Sequence, residues 1–214
     1  MIDSNNIKID KISNLNVSRE TLEELETYSK LLILKNKSIN LISKSTEKSI
    51  KQRHIEDSAQ TIDFIDKKDI KICTDLGSGA GLPGIVLAIL MKPKNPLFKL
   101  ILYEKSYHKS IFLKEMIKKF KLNSEIRRKN IFEEKNLNTD VIISRAFKPL
   151  PIIFQIAKTN FKNFKYIILF LGKSGNEILF EALKFWKFDY EEKKSLTSDN
   201  STIIKISNLT KIDE

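Results

Sequence analysis

The chain has 214 residues, 41% of them hydrophobic and 30% charged, which suits one α/β domain with a small appendage, or at most two small domains. No apolar run approaches the roughly 20 residues of a membrane-spanning helix, Met1–Asn16 lacks the contiguous apolar core of a signal peptide, and a single cysteine, Cys73, excludes an internal disulfide. The net charge of +11 favours a polyanionic partner, although 33 lysines against 5 arginines, beside 32 isoleucines and 16 asparagines, is also what AT-rich codon usage produces.

Residues 1–17 read as a frayed or weakly packed arm. Ser18 is placed to cap a helix, with Glu20, Glu23 and Glu24 favourable to its dipole. Leu22, Leu25, Tyr28, Leu31, Leu32 and Leu34 continue its apolar stripe to about Lys35. After a connector at Asn40–Ser43, Ser45 is expected to cap a second helix, about Thr46 to Ile65. That helix carries the polar run Arg53-His54-Ile55-Glu56-Asp57-Ser58. Residues 1–66 are thus expected to form a helical extension packed on a core of residues 67–214, the two making one structural unit.

From Ile70 strands and helices alternate. Strands are predicted at Ile70–Leu76, Phe98–Tyr103, Glu125–Arg128, Asp140–Ser144 and Tyr166–Leu171. Helices are predicted at Leu82–Met91, Ser106–Phe120, Pro149–Phe161 and Asn176–Trp186. A closing hairpin pairs Phe188–Leu196 with Thr202–Ser207. This order predicts a mostly parallel sheet with an antiparallel edge. Cys73, in a strand that should be buried, reads as a small hydrophobe.

Four of the six glycines fall in Gly77-Ser78-Gly79-Ala80-Gly81-Leu82-Pro83-Gly84, between the first strand and its helix. A plain turn needs one glycine or two, whereas a cradle for a nucleotide-like cofactor needs several, for positive φ and for close approach to the backbone. Gly79–Gly84 also satisfies the dinucleotide pattern G-x-G-x-x-G. Against a dinucleotide stand Asp75, which would repel a pyrophosphate, Pro83, which removes an N–H near the helix start, and the short chain. S-adenosylmethionine has no phosphate. Its ammonium group can be held by an acid, directly or through water, and its ribose and adenine need close backbone approach.

Other candidates lie at strand ends, where ligands of parallel sheets bind. Glu104, after the second strand, suits the two ribose hydroxyls. Asn130 and Ile131, after the third, could read an adenine edge. Arg145, after the fourth, can hold a carboxylate, a phosphate or a carbonyl, or form a surface ion pair. Arg53 and Asp57 are four apart, so an exposed helical ion pair competes with a functional role for them and for His54. His108 and its neighbouring lysines read as a solvated face.

Several stretches together resemble the RsmG (GidB) family of bacterial 16S ribosomal RNA guanine-N7 methyltransferases. They are Asn40-Leu41, Arg53-His54-Ile55-Glu56-Asp57-Ser58, Asp75 to Ile85 and Ile143-Ser144-Arg145-Ala146. The resemblance spans roughly Asn40 to Ile178. It implies a class I, Rossmann-like methyltransferase fold with a seven-stranded sheet, and S-adenosylmethionine as cofactor, without a metal. The expected cofactor contacts are Asp75, Gly77, Ser78, Gly79, Gly81, Leu82, Glu104, Asn130, Ile131 and Arg145. Arg145 is also the best candidate for a catalytic role. Arg53, His54 and Lys173 are expected to face the RNA. Lys173 matches the family's lysine after the fifth strand, but Ser174 follows it where the family has glycine. Arg127 and Arg128 are further candidates for phosphate contact. The implied reaction is methylation of N7 of a guanine in 16S rRNA, free or in the small ribosomal subunit, by a cytoplasmic monomer. A small-molecule methyltransferase is the alternative.

Overall fold

The computed structural model describes residues 7–12, 15–65 and 68–212. Helix α1, Arg19–Asn36, begins where the Ser18 hydroxyl accepts the Thr21 N–H, the cap its sequence position suggests. Its buried stripe includes Thr21, Leu25, Tyr28, Ser29, Leu32 and Ile33, while Leu34 is exposed. Of the arm before it, residues 1–6 and 13–14 lie outside the described residues, and among the rest Ile9 and Ile12 are buried in the same core rather than loosely packed.

The single second helix expected from the sequence is a chain of short helical pieces. A 3-10 turn spans Lys44–Ser49 and a widened π-type turn Lys51–Glu56. A short α-helical turn, α2, covers Asp57–Ala59, and a last 3-10 segment Gln60–Phe64. Ser45 does not cap it; its hydroxyl pairs with that of Ser43. The polar residues His54, Asp57, Ser58, Gln60 and Thr61 are all buried, and a uniform helix leaves one stripe for burial, not most of its circumference.

Strand β1 is Ile72–Leu76, and α3, Gly84–Met91, starts two residues later than expected because Pro83 stands at its cap. Every residue of α3 is buried, so it lies inside the fold. Then come β2, Lys99–Tyr103, α4, Tyr107–Lys119, and β3, Ser124–Arg127. A two-residue strand β4, Leu137–Asn138, precedes β5, Val141–Arg145. After α5, Leu150–Asn160, strand β6, Phe161–Asn163, pairs with β4 in a small separate sheet. Next are β7, Tyr166–Leu171, and α6, Gly175–Leu183. Strand β8, Trp186–Lys194, starts at the tryptophan expected to end α6, and β9 is Thr202–Lys211.

The seven-stranded sheet has the order β3-β2-β1-β5-β7-β9-β8. Pairs from β3 through β7 are parallel, and β9 runs antiparallel between β7 and the outermost β8. Successive strands leave β1 on one side toward β3 and on the other toward β7, so a topological switch point lies at β1, where such sheets open a crevice. Side chains alternate across the sheet. Val141, Ile143 and Ile168 join a core with α1, residues 44–64, α3 and α4, and Ile142, Ile167 and Leu169 join one with α5, α6 and β8. In the second core Phe154 packs edge-on against Trp186 and at a steep tilt against Phe188, with ring centroids 5.5 and 5.2 Å away. No described helix is long and apolar enough to cross a membrane.

Phe154 is fully buried. Phe154→Ala should therefore lower unfolding stability by about 3–5 kcal/mol, measured as a shifted urea midpoint with an unchanged slope. A loss under about 1 kcal/mol would mean that this face of the sheet is not close-packed.

Candidate active site

A cleft of about 590 Å³ opens at the carboxyl ends of β1, β2 and β5. Its floor is the glycine-rich loop. Gly77 has φ +72°, and a Cβ there would stand 2.2 Å from the Phe147 ring, so both conformation and space demand glycine. The loop is held from several directions. Ser78 donates its N–H to the Tyr103 carbonyl at 3.0 Å. Gly79 donates its N–H to Glu104 Oε2 at 2.8 Å. From the N-terminal side, the Tyr28 hydroxyl donates to the Ala80 carbonyl at 2.8 Å. Tyr28 is itself fixed against Phe112 and Phe120, and burial raises its pKa.

Asp75 works from beneath the loop. It is fully buried, and its Oδ2 accepts the Gly84 N–H at 3.2 Å, at the start of α3. A Cβ on Gly84 would come within 2.5 Å of that oxygen. Burial pushes the acid up to about 7, against the pull of the Gly84 N–H and Ser78 and with a further upward push from the Glu104 charge. Asp75 is not among the residues that line the cleft; one oxygen supports the loop from beneath, and its Oδ1 is buried without a partner.

Glu104 does line the cleft. Its two oxygens are oriented by the Gly79 N–H and by the Ser106 N–H at 2.7 Å. Asn130 and Ile131 stand on the adjoining wall. Asn130 donates to Glu133 at 2.5 Å, while its Oδ1 is buried without a partner. Gly77, Ser78, Gly79 and Leu82 complete the expected lining, whereas Gly81 faces Ile85 and Leu113.

Arg145 enters from the other side. Its Nη2 lies 2.8 Å from the Arg53 carbonyl and 3.2 Å from Asp57 Oδ2, and its guanidinium carbon lies 5.5 Å from the centroid of the Phe170 ring. The alternative reading as a surface ion pair is corrected, since the pair is largely buried. So is the Arg53–Asp57 pair, because Asp57 turns inward to Arg145 and Arg53 contributes its backbone. Ala146, with φ +52°, bends the chain so that Arg145 and Phe147 both line the cleft.

His54 also lines the cleft. Its Nε2 is 2.8 Å from Thr46 Oγ1, which already donates to the Ser43 carbonyl. Nε2 therefore carries the proton, a tautomer assigned from the network. Burial, then the Arg145 and Arg53 charges, push its pKa down to about 4, so the ring is neutral near pH 7.

Lys173 sits exposed in the turn after β7, outside the cleft. Arg127 is engaged with Glu125 and the Tyr103 hydroxyl, while exposed Arg128 lies over the Tyr107 ring at 5.0 Å. His108 is exposed, as expected, but Lys109 reaches the cleft rim. Sequence reasoning did not assign Tyr103, Phe132 or Phe147, which supply apolar walls. Their only signal is adjacency to assigned residues at strand ends.

The strand order, the single antiparallel strand and a ligand cleft over the first glycine loop define a class I, Rossmann-like methyltransferase fold. Solved structures agree: a putative O-methyltransferase from Klebsiella pneumoniae superposes with a TM-score of 0.61 at 11% identity over 92% of this chain and 93% of that one. The 16S rRNA methylase RmtB does so at 0.55 and 12% identity over 92% of this chain and 77% of that one. The chain belongs to the GidB family, described as rRNA small subunit methyltransferase G, whose family model matches residues 21–206. It is 46% identical over 202 residues to the ribosomal RNA small subunit methyltransferase G of Pelagibacter ubique, covering 94% of each chain. To the protein of that name from Rickettsia felis it is 39% identical over 198 residues, 92% of this chain and 99% of the other.

The displaced acidity of Asp75 has a measurable sign. Its folded pKa of about 7 lies above the ordinary 3.8, so its stabilising contribution is present below pH 4 and is lost as pH rises through 7. Asp75→Asn keeps an acceptor for the Gly84 N–H. The variant should gain stability relative to wild type between pH 4 and 8, by about 1.4 kcal/mol for each pH unit of displacement. Urea unfolding across that range tests it; a difference that does not change with pH would show that Asp75 is ionised as freely as an exposed carboxylate.

Proposed function

We propose that this protein transfers the methyl group of S-adenosylmethionine to N7 of a guanine in 16S ribosomal RNA. The observation that carries the cofactor is Glu104, a carboxylate at the end of β2 facing the cleft and oriented by two backbone N–H groups. A carboxylate so placed accepts both ribose hydroxyls of an adenosine. The other residues fit. Asn130 Oδ1 is a buried acceptor without a partner beside the cleft, suited to the adenine amine. Gly77 lines the cleft, and its bare Cα lets the Phe147 ring pack against the loop as a wall of the same cleft.

S-adenosylmethionine supplies an electrophilic methyl group on a sulfonium. Guanine N7 offers an in-plane lone pair and no proton, so the transfer needs no general base. The chain's contribution is then positioning, exclusion of water and stabilisation of charge developing on the base. A paired Arg145 and a neutral, buried His54 serve that task better than proton transfer. Family membership supports ribosomal RNA as the substrate. N7 lies in the deep, narrow major groove of A-form RNA, so the target guanine must be unpaired or flipped. Lys105, Lys109, Lys129 and Lys148 border the cleft, where they can hold flanking phosphates.

The test combines purified protein, methyl-labelled S-adenosylmethionine and small-subunit RNA from a strain lacking the enzyme, naked or as assembled subunits. Borohydride and aniline treatment cleaves RNA at N7-methylguanine. Label together with one new cleavage is the expected result. Label without cleavage would reject N7. Cofactor binding with no label in either substrate would favour a small-molecule acceptor. In the same preparation Gly77→Ala should weaken S-adenosylmethionine binding at least tenfold by calorimetry while remaining folded; full affinity would refute the cleft as the cofactor site.

A further inference from the structure

We propose that Asp57 is a positioning residue for Arg145, locked in place by the turn between β8 and β9; its effect on catalysis rests on the reading above. Asp57 divides its two oxygens between two tasks. Oδ2 faces Arg145 Nη2 at 3.2 Å. Oδ1 accepts from the Ser195 hydroxyl at 2.8 Å and from the Thr197 hydroxyl at 2.9 Å. Both hydroxyls come from a segment 138 to 140 residues away in sequence.

The turn is itself held. Gln60 Oε1 accepts the Leu196 N–H at 2.8 Å, which aims the Gln60 amide nitrogen at Asp57 Oδ1 and Ser195 Oγ, at 3.4 and 3.5 Å. The Thr197 N–H donates to Ser195 Oγ at 3.1 Å. Each of these polar groups has its partner inside the network, and their side chains lie in or against the core. A hydrogen-bonded network in a low-dielectric site is strong and directional, so it fixes geometry as well as charge.

Arg145 depends on that geometry. Its side chain retains 20% exposure and Asp57 only 9%, so rotation away from Asp57 would leave a buried carboxylate unpaired. The Arg53 carbonyl and, at 3.5 Å, the Ser58 hydroxyl complete its setting. Arg145 is therefore aimed by the helical stretch on one side and, through Asp57, by the C-terminal hairpin on the other.

Arg145 can be observed directly, because the chain has only five arginines. In 15N-labelled protein its Nε–H signal is assigned by its loss in Arg145→Lys. The variant Ser195→Ala with Thr197→Val removes both hydroxyl donors and substitutes neither Arg145 nor Asp57. The Arg145 signal should move toward the free-arginine position and exchange with solvent at least tenfold faster, while the other four stay in place. The kcat/KM for methyl transfer should fall tenfold or more. Ser195→Thr, with Thr197 kept, should restore both. In an Asp57→Asn background the double substitution should have no further effect on either readout. An unmoved Arg145 signal would overturn the proposal, as would effects of the two lesions that simply multiply. A general loss of stability in which all five signals shift together would also overturn it. Wild-type protein without methyl transfer would refute the functional reading instead, and the nuclear magnetic resonance arms would still decide the role of Asp57.

Discussion

The structure depends on holding one stretch of irregular backbone, Gly77 to Pro83, open and rigid at the switch point of the sheet. Such a loop has no ladder of its own, so its polar groups must be satisfied from outside. Asp75 caps the start of α3 from below, the Tyr103 carbonyl and Glu104 hold Ser78 and Gly79 at the side, and Tyr28 reaches Ala80 from the N-terminal helix. The N-terminal extension is thus part of the site's construction. The apolar face that carries Tyr28 and Leu32 shares one core with α3 and α4. Its connector, tied by Asn36 to the backbone of Leu41 and Ile42, forms part of the cleft wall.

A second constraint is a charge that must stand at a cleft without being lost to solvent. A guanidinium with a free counter-ion at the surface would be worth little and would wander. Here the ion pair is drawn inward, with Phe170 below, the Arg53 carbonyl beside it and Asp57 behind. Burial is costly for each charge alone, and the pair persists because further hydrogen bonds satisfy the carboxylate. The irregular helix of residues 44–64 follows from the same demand. It must turn His54 toward the cleft, offer the Arg53 carbonyl, and bury Asp57, Ser58 and Gln60, which a single regular stripe cannot do.

The two sides of the cleft are chemically distinct. The Glu104–Asn130 side presents oriented acceptors, suited to a neutral, hydroxyl- and amine-bearing ligand. The Arg145–His54 side presents a fixed cation and a neutral imidazole, with lysines at the rim. Under the proposed function, the first side would take the phosphate-free cofactor and the second the phosphate-bearing acceptor.

The amino-acid sequence by itself determined what short-range physics governs. Clustered glycines announced the loop, because few residues tolerate its φ angles and close approaches. Alternating apolar runs announced the strands, and a cap such as Ser18 marked a helix start. Acids and amides at strand ends, Glu104 and Asn130, could be placed at the cleft because parallel strands deliver their carboxyl ends to one side. Only the tertiary structure decided which charge meets which. The spacing of Arg53 and Asp57 suggested a partner four residues away, yet Asp57 found Arg145 on a distant strand and Ser195 beyond it. It likewise set Asp75 beneath the loop, where it accepts the Gly84 N–H, and packed Ile9 and Ile12 into the core. The reason is that local sequence sets backbone conformation and the period of burial, whereas the partner of a buried polar group is set by which elements become neighbours, and that is a property of the folded chain as a whole.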